Sequence, residues 1–208
     1  MTTNDALSVV LEDARRLGFL GPDAVERHIA HAEAWAEALE ADQAPGSFLD
    51  LGSGAGVPGL VLALRWPDSE AVLLDSQLRR TAWLRTAAGR LGVGDRVSVA
   101  EGRAETLGHD VELRERFPLV VARSFGAPAM TAELGAAFVA PGGVLSVSEP
   151  PGSVADRRWP EDPLELLGLR NPRQVVRGGG SFVILQKHSA LREVFPRRQN
   201  RLLRDPVW

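Results

Sequence analysis

The sequence predicts an α/β fold: a mostly parallel, seven-stranded sheet covered by helices on both faces. Three observations carry that expectation. From residue 47 onward, short apolar runs alternate with stretches of helical periodicity. The first two apolar runs each end in an aspartate, Asp50 and Asp75. A glycine cluster, Gly52-Ser53-Gly54-Ala55-Gly56-Val57-Pro58-Gly59, follows the first of them.

The elements follow in order. Leu7, Val10, Leu11, Ala14 and Leu17 recur at helical spacing, so residues 5–17 read as an amphipathic helix that Gly18 ends. Gly21-Pro22-Asp23 restarts the chain, with Pro22 suited to a first helical turn. Val25, Ile29, Ala32, Trp35, Ala36 and Leu39 form a second apolar stripe, with Trp35 in the core, to about residue 40; residues 42–46 read as a loop. Strands are expected at 47–51, 71–75, 96–100, 119–122 and 144–147. Helices are expected around 60–64, 78–91 and 130–139, with Pro141-Gly142-Gly143 as a turn. Two further strands, 174–176 and 182–185, flank Arg177-Gly178-Gly179-Gly180 as a hairpin, which makes one strand antiparallel. The chain divides into a helical extension (1–45), a central domain (46–188) and a basic tail (189–208).

Composition narrows the chemistry. With 208 residues and 44% apolar content, the chain can bury a sizeable core. It has no cysteine, which excludes disulfides, thiolate metal sites and a cysteine nucleophile. The four histidines lack metal-ligand spacing, so no metal is expected. The polar start and the lack of a long apolar run point to a cytoplasmic protein with no membrane association. The net charge of −3 hides an asymmetry: residues 1–169 carry −10 (15 bases, 25 acids) and residues 170–208 carry +7 (9 bases, 2 acids). A basic segment on an acidic body is the footprint of an anionic partner, or else a solvated tail.

The glycine loop is the most informative stretch. It runs from a strand's carboxyl end into a helix N-terminus, where doubly wound sheets bind ligands. Gly54-Ala55-Gly56-Val57-Pro58-Gly59 fits the dinucleotide pattern G-x-G-x-x-G, while Gly52-Ser53-Gly54-Ala55-Gly56 fits the G-x-G-x-G of S-adenosylmethionine enzymes. Asp50 favours the second. A carboxylate before the loop suits a sulfonium and an amino group and repels a pyrophosphate. Asp75, 19 residues after Gly56, suits a ribose diol.

At this point the residues resemble a family. Phe48–Gly59 resembles the first motif of the glucose-inhibited division protein B family, the 16S ribosomal RNA guanine-N7 methyltransferases, and Pro58-Gly59 narrows the match. Leu73-Leu74-Asp75-Ser76 with Arg79, Arg80 and Leu84 resembles the second strand and helix of that family. Arg103-Ala104-Glu105 is similar to its adenine-side loop, and Ala122-Arg123-Ser124-Phe125 to its fourth-strand motif. Glu26-Arg27-His28-Ile29 and Phe195-Pro196-Arg197-Arg198 resemble its N-terminal helix and the start of a basic tail. The resemblance implies a class I S-adenosylmethionine methyltransferase (Rossmann-like) with S-adenosyl-L-methionine as cofactor and 16S ribosomal RNA or the small ribosomal subunit as partner; a monomer is expected. The family's lysine near the end of the fifth strand is Glu149 here, and the 150–173 segment is shortened. These departures keep open a diverged paralogue: a small-molecule methyltransferase, or a non-catalytic donor- or RNA-binding module.

The resemblance assigns Asp50, Gly52, Ser53, Gly54, Gly56 and Gly59 to the donor loop. It assigns Asp75 and Ser76 to the ribose, and Ala104, Glu105 and Arg123 to the rest of the donor site. Arg123 is the catalytic candidate, able to hold phosphate or donate to guanine O6; its alternative is a structural salt bridge. Phe125 stacks on a base or packs in the core. Glu105 sits near the adenine or is a solvated helix-start acid; His28 faces the site or is a partly buried, satisfied histidine. Arg197, Arg198 and Arg201, with Arg192 and Arg204, are candidate phosphate contacts, whereas Arg79 and Arg80 read as an exposed helix face. Guanine N7 has a lone pair and no proton to lose, so its methylation needs orientation and no general base. Cytosine C5 methylation generally needs a cysteine. Amino-group methylases place an Asp/Asn-Pro-Pro-aromatic turn after the fourth strand, where this chain has Arg123-Ser124-Phe125. Glu149-Pro150-Pro151-Gly152 follows the fifth strand and reads as a loop.

Overall fold

The computed structural model describes residues 2–39 and 44–208; part of the expected 42–46 loop lies outside the described residues. Two helices come first, α1 (Thr3–Arg16) and α2 (Val25–Ala38). A capping box opens α1: Thr2 Oγ1 accepts from Asp5 N–H at 3.2 Å and Asp5 Oδ2 accepts from Thr2 N–H at 2.8 Å. Pro22 does not open α2. The helix starts at Val25 from an Ala24 cap that makes no side-chain hydrogen bond.

The sheet contains β1 (Ser47–Leu51), β2 (Glu70–Asp75), β3 (Val97–Glu101), β4 (Phe117–Ala122), β5 (Val139–Glu149), β6 (Leu169–Arg177) and β7 (Gly180–Lys187). Its order is β3-β2-β1-β4-β5-β7-β6. Only β7 runs against its neighbours, as the hairpin reading requires. The helices between strands are α3 (Gly59–Arg65), α4 (Leu78–Arg90), α5 (Ala104–Leu107) and α6 (Pro128–Ala136), followed by α7 (Ala155–Arg158), α8 (Glu161–Leu166) and the terminal α9 (Gln199–Arg204).

Strand alternation divides the core into two layers. Leu49, Leu51, Val120, Ala122, Leu145 and Val147 face α6, Phe138 and Trp159. Phe48, Leu73, Leu119 and Val121 face Trp35, Leu60, Trp83 and Leu84. Trp35 is fully buried, and its Nε1–H donates to Ser146 Oγ at 2.7 Å, tying α2 to β5. One expectation is corrected here. Pro141-Gly142-Gly143 is not a turn between elements but an irregularity inside β5: Phe117 pairs with Val139 and Leu119 with Val144, so three extra residues bulge from β5. Residues 150–173 hold α7, α8 and the start of β6.

Residues 188–208 are docked. Arg114 donates to the carbonyls of Leu191, Arg192 and Phe195 at 3.0, 3.3 and 2.8 Å. Glu115 Oε1 accepts from Leu191 N–H at 2.7 Å. Leu191, Phe195 and Leu202 are buried in the α6-side core. Among the described residues, no helix is long and apolar enough to cross a membrane.

Candidate active site

The sheet order reverses between β1 and β4, and the carboxyl ends of strands diverge there to leave a crevice. The loop from β1 to α3 occupies that point. Gly52 and Ser53 N–H both donate to Leu74 O at 2.9 Å, drawing the loop across the end of β2. Gly52 has φ +75°, and a Cβ there would lie 2.5 Å from the Phe125 ring. Only glycine meets both demands. Gly59 is needed for a different reason: its Cβ would lie 2.5 Å from Asp50 Oδ2.

The two strand-end aspartates are held differently. Asp75 Oδ2 accepts from Gly54 N–H and Oδ1 from Gln77 N–H, both at 2.9 Å. Each oxygen keeps a further lone pair for a ligand. Asp50 is buried under the loop and accepts from Gly59 N–H at 2.9 Å. Burial pushes its carboxyl up to about 7 against the pull of that hydrogen bond.

A cavity of about 250 Å³ opens above this loop. Gly52, Asp75, Ser76, Ala104, Glu105 and Phe125, all expected, line it. Asp50, Ser53, Gly54, Gly56 and Gly59, also expected, do not line it; they belong to the strand end and the loop beside it. The sequence reading missed Arg80, whose Nη1 lies 3.7 Å from Asp75 Oδ2 at the cavity edge, so it is no mere exposed helix face. It also missed Met130, Leu134, Gln199 and Leu202, which close the far side. Two of these belong to α9, whose return to the donor site has no local signal in the sequence. Ser124 stands at φ +50°, a left-handed backbone rare outside glycine, and lines the same cavity.

Arg123 departs from its expected place. It lines neither this cavity nor the one beside it. Its Nη2 lies 2.5 Å from His28 Nδ1, and its charge acts on Asp50. Burial lowers the ordinary pKa of both His28 and His31, and the nearby Arg123 cation lowers them further, His31 to about 4. His28 is thus a neutral acceptor facing a guanidinium, and α2 is joined to the floor of the site through that contact. The Arg123 contact is to an imidazole 95 positions earlier in the chain, which the strand-end position alone could not show.

Glu149, where the resemblance implies a lysine, is buried and pairs with Arg158: Arg158 Nε to Glu149 Oε2 is 2.5 Å. A cation is therefore still present at the end of β5, supplied from α7. The tail arginines divide. Arg197 is turned inward, its backbone N–H and Nη2 reaching Glu133 Oε1 and Oε2 at 2.7 and 2.6 Å. Arg198 and Arg201 are exposed, with Arg201 3.4 Å from Asp205.

Comparison with known proteins agrees with this geometry. Solved structures share the fold: a putative O-methyltransferase from Klebsiella pneumoniae (TM-score 0.63, 17% identity, 88% of this chain and 90% of that one). The O-methyltransferase from Bacillus cereus in complex with SAH is another (TM-score 0.60, 17% identity, 87% and 90%). Among curated relatives, the ribosomal RNA small subunit methyltransferase G of Moorella thermoacetica is 34% identical over 166 residues, 76% of this chain and 68% of that protein. The same-named protein of Acidothermus cellulolyticus is 40% identical over 132 residues, 62% of this chain and little more than half, 55%, of its own length. A family model described as rRNA small subunit methyltransferase G matches residues 21–148, from just ahead of α2 to the end of β5, and so spans the glycine loop, both aspartates and the Arg123-Ser124-Phe125 turn. With more than half of its length under that model, the chain belongs to the rRNA small subunit methyltransferase G family.

Proposed function

We propose that this protein transfers a methyl group from S-adenosylmethionine to a guanine N7 of 16S ribosomal RNA in the small subunit. The observation that carries the reading is the cavity built on Gly52 and Asp75, which opens past Ser124 and Phe125 toward the carboxyl ends of β4 and β5.

The residues fit an adenosyl donor. Asp75 keeps acceptor capacity for a ribose diol after holding Gly54 and Gln77, and Ser76 stands beside it. Ala104 and Glu105 flank the adenine side. Bound there, S-adenosylmethionine supplies an electrophilic methyl group. The chain's task is to hold both partners in line, because N7 offers a lone pair and loses no proton. No general base is needed. Phe125 stands between donor and acceptor, and Arg123 joins α2 to the floor from behind through His28. Arg198 and Arg201 remain available for phosphates, whereas Arg197 is committed to Glu133.

The pairing of Glu149 with Arg158 weighs against a small-molecule substrate. The acidity that would repel phosphate at this mouth is neutralised within the chain. The same reading places the protein, as a monomer, in the cytoplasm with its ribosomal partner.

The test is incubation with radiolabelled donor and undermethylated small subunits, followed by mapping of the label. Label in 7-methylguanine of 16S RNA is expected. No label on RNA, with transfer to a metabolite instead, contradicts the proposal.

A further inference from the structure

Beside the donor cavity lies a second one of about 230 Å³, sharing Ser124 and Phe125 with it. Two residues of its lining carry an unpaired polar atom. Thr131 and Trp159 line it, each 1% exposed, and neither Thr131 Oγ1 nor Trp159 Nε1 has a hydrogen-bond partner. A buried hydroxyl or indole N–H without a partner costs free energy, typically about 1–3 kcal/mol. Two such groups around one hollow mark a place where a polar ligand completes the bonding.

The cavity's charged end is Glu149 with Arg158. Arg158 uses Nε on Glu149 Oε2, which leaves Glu149 Oε1 and the outer guanidinium nitrogens without further hydrogen bonds among the described residues. The pair is held from behind: Trp208 Nε1–H donates to Arg158 O at 3.0 Å, and the Trp208 ring meets Trp159 edge-on at 6.2 Å. An acceptor-bearing carboxylate beside a donor-bearing guanidinium is complementary to a guanine edge. Guanine presents N1–H and a 2-amino group as donors next to O6 as acceptor. Adenine presents an acceptor at N1 and a donor at N6, which reverses the match.

We propose that this second cavity receives the target purine and that Glu149, oriented by Arg158, selects guanine by accepting from its N1–H and 2-amino group. This rests on the methyl-transfer reading above and extends it to the side chain that selects the base. N7 lies on the opposite side of the purine from N1 and the 2-amino group. A base anchored at Glu149 therefore presents N7 toward Ser124, Phe125 and the donor. The orphaned Thr131 and Trp159 groups are the remaining contacts.

The experiment measures binding of GMP and AMP to the SAH-loaded full chain by calorimetry, and so does not depend on methyl transfer to RNA. Wild type is expected to prefer GMP by about tenfold or more, the usual worth of a paired base contact. Glu149→Gln is expected to remove the preference while SAH binding stays unchanged. Thr131→Val replaces an unpartnered hydroxyl by a methyl, so the fold is not at risk; it is expected to weaken GMP about fivefold. Equal affinity for GMP and AMP, no binding of either, or a preference untouched by both variants overturns the proposal. Loss of methylation of small subunits with the GMP preference intact would instead refute the function proposed above.

Discussion

The donor loop at residues 50–59 and the docked segment at 188–208 were both singled out by composition, one by glycine and one by arginine. They turned out to differ in kind. The loop's conformation is locally encoded: Gly52 stands at φ +75°, which its own residue type permits, and partners farther along the chain, Phe125 above it and Asp75 accepting from Gly54 N–H, then close around that shape. The segment's chemistry is set at long range. Arg197 is claimed by Glu133, a buried acid 64 positions earlier, and Arg114 grips three of the segment's carbonyls from the loop before β4. A glycine signals a backbone conformation that is its own evidence. An arginine signals only a charge, and where it goes depends on which acids the fold brings near.

The sharpest break in the comparison is within the segment. Arg197→Ala leaves the Glu133 carboxylate buried and unpaired, so stability is expected to fall by about 3–5 kcal/mol, measured by urea denaturation. A change within about 0.5 kcal/mol would return Arg197 to the solvated class with its neighbours.

Asp75→Ala tests the loop. It removes both the ribose acceptor and the brace on Gly54, and the donor Kd is expected to rise about 100-fold. The Arg198→Ala, Arg201→Ala double variant should bind donor like wild type. Equal donor loss in the two would erase the distinction between loop and segment.

Asp50 gives a pH test. Its carboxyl is raised from 3.8 to about 7 in the folded chain, so the folded state retains a proton that the unfolded state has lost. This group's stabilising contribution is complete below about pH 4 and lost as pH rises through about 7. Relative to Asp50→Asn, wild-type stability is expected to drop by up to about 4 kcal/mol across that window. Parallel pH profiles would mean that the carboxyl under the loop titrates normally.

The smallest effect concerns RNA. Arg198→Ala and Arg201→Ala should each flatten the dependence of log affinity on log salt by about one unit, with stability unchanged. An unaltered slope would leave the segment with a structural role only.

Much of the fold was legible because strand alternation and turn chemistry are short-range. All seven strands, the single antiparallel strand and the Gly178-Gly179 hairpin follow from patterns within ten residues. What escaped was long-range or irregular. Pro141-Gly142-Gly143 has a turn's composition but forms a bulge because Val139 is already paired with Phe117. Arg80 looks like surface until Asp75 is found at its tip. Gln199 and Leu202 reach the donor cavity only because the segment folds back. Glu149 read as a lost cation, since nothing nearby announced that Arg158 replaces it.

The most direct measurement is calorimetry of the pure protein with S-adenosylhomocysteine. A single saturable site in wild type that Asp75→Ala weakens about 100-fold is the predicted result. No heat with that compound, together with uptake of a nicotinamide dinucleotide, would contradict the assignment of the Gly52–Asp75 cavity and everything built on it.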